Sequence, residues 1–373
     1  MGKSLKLGTI AGIRIQVHWT FFLILAWILF TALIAGKGML AALSSIAFVL
    51  VLFGCVVLHE LGHALAARFY GIPTRDITLL PIGGVARLER MPRKPTKELV
   101  VALAGPMVNV IIAVVLYVLL VPAVGLANLT SPSFQGASFL QQLMFGNIAL
   151  VAFNLLPAFP MDGGRVVRAV LAMFMDYVRA TRVAACIGQI CAIGFGLLGL
   201  YNPMLLLIAA FIFIGAATEA RHVALSEELA GFQVRDGMRR QFRVVPANGL
   251  IRECALDLLE SQQDEFPVIR DGMFVGMVRI ETALSAMESD TANTFAEVMQ
   301  ADVRPIDEYE PLTKTMERAP FTHNKTLPVT SDGVLIGLLD FRQVFDLLRA
   351  RSRLRSQPSH LAETMTQPVS ITT

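Results

Sequence analysis

The chain has 373 residues, of which 54% are hydrophobic and only 16% charged, and its mean hydropathy is +0.60. Soluble domains carry about 25% charged residues, so an ordinary water-soluble fold is excluded and a membrane protein is expected. A net charge of +3 is too small to serve as a footprint for nucleic acid. The four cysteines, Cys55, Cys186, Cys191 and Cys254, form no C-x-x-C pair and no disulfide framework.

The opening stretch, MGKSLKLGTIAGIRIQVHW, reaches its apolar run late and lacks a small-residue cleavage site, so no cleavable signal peptide is expected. Six segments are apolar and long enough to predict bilayer crossings: 17–35, 42–68, 98–123, 140–159, 183–200 and 204–220. Lys3, Lys6 and Arg14, the seven basic residues from Arg68 to Lys97, and the four from Arg165 to Arg182 all fall on one side, against Lys37 on the other. The positive-inside rule then predicts a multi-pass protein of the cell (cytoplasmic) membrane with both termini cytoplasmic. Between the second and third spans, ITLLPIGGVARLE (77–89) alternates as a hairpin dipping into the membrane, whose edge suits an added substrate strand. A plain cytoplasmic loop is the other reading.

After Arg221 the composition turns mixed and charged. Residues 235–352 contain a repeat with an offset of 61: Met238 returns as Met299, Pro267-Val268 as Pro328-Val329, Asp271-Gly272 as Asp332-Gly333, and Gly276 as Gly337. Each copy reads as a short strand, a helix, two strands around a D-G turn and a closing helix. The expected fold is therefore an α-helical polytopic membrane protein followed by a cytoplasmic α+β pair. Its parts are a six-helix domain over 1–222, a linker over 223–234, repeats at 235–292 and 296–352, and a disordered tail over 353–373.

Chemistry concentrates in the second span, in FGCVVLHELGHALAARFYG (53–71). His59 and His63 are four residues apart, so a helix sets them one turn apart on one face, able to share a tetrahedral Zn²⁺. Glu60 projects to the side of the metal, where a general base belongs. Ionisable groups in an apolar helix are expensive unless partnered, and a metal provides the partner. Asp162, in NLLPAFPMDGGR (154–165), is the candidate third ligand. It falls at the cytoplasmic end of the fourth span, where Pro157 and Pro160 preclude a regular helix and irregular backbone must line a cavity or be covered by protein; an ordinary turn with a solvated Asp is the alternative.

H-E-x-x-H in one span with N-x-x-P-x-x-P-x-D-G in a later one resembles the site-2 protease family of intramembrane zinc metalloproteases. The resemblance covers most of residues 1–220. It implies one zinc ion held by His59, His63 and Asp162, with Glu60 catalytic, and cleavage of a transmembrane or membrane-associated segment of a substrate protein. AGPMVN (104–109) resembles the family's small-x-x-x-Asn element, which puts Asn109 near the substrate carbonyl; an interhelical hydrogen bond is the alternative. Asn154 resembles the motif asparagine that grips substrate backbone. The 61-residue repeat resembles tandem CBS domains, as in the sporulation-factor branch of the family, which implies regulation or a homodimer through that pair. Many CBS pairs bind adenine nucleotides through G-h-h-[ST]-x-x-D. This chain departs from that pattern, with Arg279 and Thr282 in one copy and Asp340 and Gln343 in the other. Two rival readings stand beside the protease: a divalent-cation transporter with CBS regulatory domains, and an inactive homologue that only binds transmembrane helices. One closed site with no acidic ladder argues against the first, and an intact Glu60 against the second.

Overall fold

The computed structural model of the chain describes residues 4–36, 38–81, 83–88, 92–124, 138–261, 263–289, 292–318 and 326–356. Most of the loop expected near 124–139 and the tail beyond Ser356 lie outside them. The chain divides into two compact units between Ala224 and Leu225.

The first unit begins with strands β1 (Ser4–Ile10) and β2 (Ile13–His18), then helices α1 (Phe21–Ile34) and α2 (Met39–Phe69). Strands β3 (Thr74–Leu80) and β4 (Gly83–Leu88) lead into α3 (Pro95–Val124), α4 (Phe139–Asn154), α5 (Asp162–Leu171), α6 (Tyr177–Leu198) and α7 (Pro203–Glu228). The strands form one sheet in the order β1-β2-β3-β4, with β2 and β3 parallel and the other pairs antiparallel. α2 is stopped by a Schellman motif. Gly71 takes φ +75°, its N–H bonds to the Arg68 carbonyl, and the Ile72 N–H reaches back to Ala67. The chain can therefore turn at once into β3. Val17 and Leu79 of the sheet pack with Phe21 and Val56, which seats the strands against α1 and α2.

Among the described residues four helices, not six, are long and apolar enough to cross a bilayer: α2, α3, α6 and α7. The first and fourth predicted crossings shorten to α1, of 14 residues, and α4, of 16. At 1.5 Å per residue these span about 21 and 24 Å, short of a hydrocarbon core of about 30 Å. The physical reason is local. Val17 and His18 belong to β2, and Pro157 and Pro160 forbid a helix beyond Asn154, although hydropathy runs on through both regions.

The second unit is α+β. Its first repeat holds β6 (Val245–Pro246), α9 (Ile251–Glu260), β7 (Glu265–Arg270), β8 (Met273–Arg279) and α10 (Ile280–Glu288), preceded by α8 (Val234–Gly237) and β5 (Met238–Arg239). After α11 (Phe295–Val298), the second repeat holds β9 (Ile306–Asp307), α12 (Leu312–Arg318), β10 (Leu327–Ser331), β11 (Val334–Leu339) and α13 (Phe341–Ser356). Both D-G pairs form two-residue loops with positive φ at each residue, +52° and +78° at 271–272 and +48° and +83° at 332–333, as a type I′ hairpin requires. The repeats exchange edges: Met238 and Arg239 pair with Leu339 and Leu338, and Gln300 bridges to Met277. Gly276 and Gly337 permit the exchange, since a Cβ would sit 2.8 Å from the Gln300 carbonyl in one copy and 3.1 Å from the Arg239 carbonyl in the other. Two boundaries move. α7 runs into the stretch read as linker, and α13 continues to Ser356, past the start expected for the tail.

Candidate metal centre

His59 and His63 lie on the inner face of α2, 4% exposed each, and Asp162 is the first residue of α5. His59 Nε2 and His63 Nε2 stand 3.1 and 3.0 Å from Asp162 Oδ2 and 3.1 Å from each other. Ligands on a tetrahedral zinc with bonds of about 2.0–2.1 Å lie about 3.3 Å apart, so the three donors converge at nearly the spacing one ion sets. Among the described residues they form a cluster suited to a metal. Gly105 of α3 provides the room, because a Cβ there would overlap both Nε2 atoms.

The rings are held from behind. His63 Nδ1 is 2.7 Å from the Val101 carbonyl, and His59 Nδ1 is 2.5 Å from Asn109 Oδ1. Partners of this kind orient metal-binding histidines and fix their tautomers. Asn109 is wholly buried behind His59, where its Nδ2 donates to Asn147 Oδ1 at 2.8 Å. Asn109 of α3 thus bonds to α2 and α4, and it is not among the residues that line the cavity described next.

That cavity, of about 440 Å³, is bounded by the metal cluster, Glu60, Gly83–Ala86 of β4, and Phe153 and Asn154 of α4. Glu60 Oε2 accepts a hydrogen bond from the Ala86 N–H at 3.2 Å, so β4 runs directly beside this carboxylate. Asn154 is on the wall, with its Nδ2 bonded to the Leu150 carbonyl. Arg165, one turn after Asp162, also faces the cavity, 3.8 Å from Asp162 Oδ1.

α5 is pinned by Arg168, which is 1% exposed. Its guanidinium bonds Glu98 Oε1 of α3 at 2.6–2.7 Å and Glu219 Oε1 of α7 at 2.6 Å, and lies over the rings of Phe159 and Tyr177. The helix that begins with Asp162 is thereby tied to α3, the helix that carries Gly105. Asn147, Glu98 and the Val101 carbonyl had no part in the sequence reading, and Arg168 entered it only as one of the basic residues that set the orientation. The available signal was polarity for Asn147, which interrupts an apolar stretch that needs no polar group, whereas Glu98 ends a charged run and gave no such signal.

The profile of peptidase family M50 matches residues 47–131 and 123–195. The zinc metalloprotease MJ0392 of Methanocaldococcus jannaschii is 36% identical over 283 residues, 75% of this chain and 79% of that one. The solved site-2 protease from the same organism is 38% identical, covering 59% of this chain and 96% of that chain with a TM-score of 0.44. CBSX2, a CBS-pair protein from Arabidopsis thaliana, aligns with 35% of the chain and all of its own length, at 22% identity and a TM-score of 0.30. The chain belongs to peptidase family M50. It is a multi-pass membrane protein with a His59–His63–Asp162 cluster suited to a metal ion.

Proposed function

We propose that the chain is an intramembrane zinc endopeptidase that cuts a transmembrane or membrane-associated segment of a substrate protein. The observation that carries this reading is the convergence of His59, His63 and Asp162 on one point, in the wall of a cavity that also exposes Glu60. When bound there, Zn²⁺ acts as a Lewis acid toward water and the peptide carbonyl. Glu60 takes the proton released as water attacks the carbonyl and delivers it to the leaving amine. The Ala86 N–H orients the Glu60 carboxylate for that exchange. Asn154 and the strand β4 hold substrate backbone in extended form, since a helical substrate keeps its amides bonded to itself and must unwind first.

In this reading α1 and α4 join the four longer helices as a six-helix membrane domain, with β3 and β4 at its cytoplasmic side and both termini in the cytoplasm. The C-terminal repeats act as a CBS pair that regulates or dimerises the enzyme, an order of parts that fits the sporulation-factor branch. A transporter would need further ligand clusters along a path, and among the described residues one such cluster is found. The test uses the full chain, reconstituted with a membrane-embedded substrate. Glu60→Gln keeps one zinc per chain by elemental analysis and loses about 10²–10⁴-fold in cleavage rate. Normal cleavage by Glu60→Gln refutes the hydrolase, and zinc flux into proteoliposomes supports the transporter.

A further inference from the structure

Each imidazole of the cluster turns Nε2 toward Asp162, so what lies behind Nδ1 decides where the ring proton sits. For His63 the answer is immediate. A backbone carbonyl only accepts, so His63 Nδ1 donates to Val101 and Nε2 keeps its lone pair for a metal. Behind His59 stands a side-chain amide, and an amide can face either way. Were Asn109 to turn its Nδ2 toward His59, the ring proton would move to Nε2, and the donor pair needed by an ion would be lost.

The direction is set one residue further on. Asn147 Nδ2 lies 2.9 Å from the Leu143 carbonyl, which can only accept, and 3.5 Å from Cys55 Sγ. Its Oδ1 must therefore point the other way, where it takes the hydrogen bond from Asn109 Nδ2. That leaves Asn109 Oδ1 facing His59 Nδ1, which must donate. Both asparagines are 0% exposed, so bulk water offers neither amide another partner. Polarity thus passes from a main-chain carbonyl of α4, through α3, to a histidine of α2.

We propose that Asn147 is a positioning residue of the metal site: by fixing which way the Asn109 amide faces, it holds His59 in the tautomer whose Nε2 can bind the ion. The inference rests on the cluster being a zinc site, and the experiment separates the two. Zinc affinity of the full chain in detergent is measured by competition with a chromophoric chelator. In parallel, ¹⁵N shifts of metal-free, ¹⁵N-histidine-labelled protein report the His59 tautomer, assigned against a His59→Gln protein. Asn147→Leu, similar in size but without donor or acceptor, should bind zinc about 10–100-fold more weakly, the range expected when an outer partner is removed. It should also show His59 as a mixture of tautomers. Asn147→Asp, neutral when buried, can donate to the Leu143 carbonyl and accept from Asn109, so it should keep both affinity (within about 3-fold) and tautomer. If Asn147→Leu does not fold, the Asp variant together with Asn147→Ala answers the same question. Wild type that binds no zinc defeats the metal reading and this proposal with it. Wild type that binds, beside Leu or Ala variants with unchanged affinity and a single Nδ1–H tautomer, overturns this proposal alone. An Asp variant as weak as the Leu variant does the same.

Discussion

In the first unit His59, His63, Glu98, Asn109, Asn147 and Arg168 are buried, while Leu40, Ile190, Leu207 and Ile214 are exposed. The second unit does the reverse, enclosing Phe266, Val268, Phe295 and Leu312 and keeping few polar groups inside, among them Gln263 and Thr315. Lipid removes the penalty for an apolar exterior but supplies no hydrogen bonds, so the polar groups of the membrane unit must satisfy one another. Their geometry is consequently specific, each group fixed by another. In the C-terminal unit stability comes from apolar burial and turn chemistry, which are local and repeat. The sharpest consequences of changing one atom should therefore fall in the first unit, and the mildest in the second.

The largest effect on zinc binding is expected at Gly105. An alanine methyl there would occupy the space between the two Nε2 atoms, so Gly105→Ala should weaken zinc binding by about 100-fold or more, at or beyond the upper end of what outer-shell changes cost. Competition titration of purified protein checks this. Retained affinity would mean that the rings can part around the methyl, and that the cluster is less rigid than its packing implies.

What the sequence disclosed follows the same division. His59 and His63 were legible because helix periodicity alone puts residues four apart on one face, and Asp162 because its motif pairs with H-E-x-x-H, a P-x-D-G turn alone suiting a solvated Asp equally well. The repeat was legible because a D-G turn carries its conformation in two residues, and both copies adopt it. Contacts between distant segments were not legible. Glu98 and Arg168 are 70 positions apart, and no period relates them. Asn109 could be assigned to a helix but not to a side of it, which left its substrate-facing and interhelical readings level. Span lengths erred where hydropathy outlasted helix: Val17 is as apolar in a strand as in a span, and Leu155 and Leu156 stay apolar after α4 has ended.

At Arg168 the effect falls on stability instead of on the ion. Arg168→Met leaves Glu98, itself 0% exposed, with its charge uncompensated, and breaking such a buried pair costs about 3–5 kcal/mol. Thermal unfolding of the detergent-solubilised chain should show the loss. Adding Glu98→Gln should restore part of it, because the neutral amide no longer needs a cation. If the double variant is no more stable than the single one, Arg168 acts by filling space between helices rather than by matching charge, and the contrast between the two units narrows.

The mildest change tests whether the repeats are energetically as well as geometrically equivalent. Gly272 and Gly333 take φ of +78° and +83°, and a Cβ at either would meet nothing within 4 Å. Alanine at each position therefore bears only the cost of the left-handed backbone, about 1–2 kcal/mol, without any clash. The two penalties should agree within about 0.5 kcal/mol, and because the sites lie in different hairpins they should add in the double variant. Denaturant unfolding followed by a probe in the second unit measures all three, and zinc content should stay at the wild-type level throughout. Unequal penalties would show that the edge exchange supports one hairpin more than the other. A zinc site that weakened with them would show that the two units do not keep their accounts of stability separate.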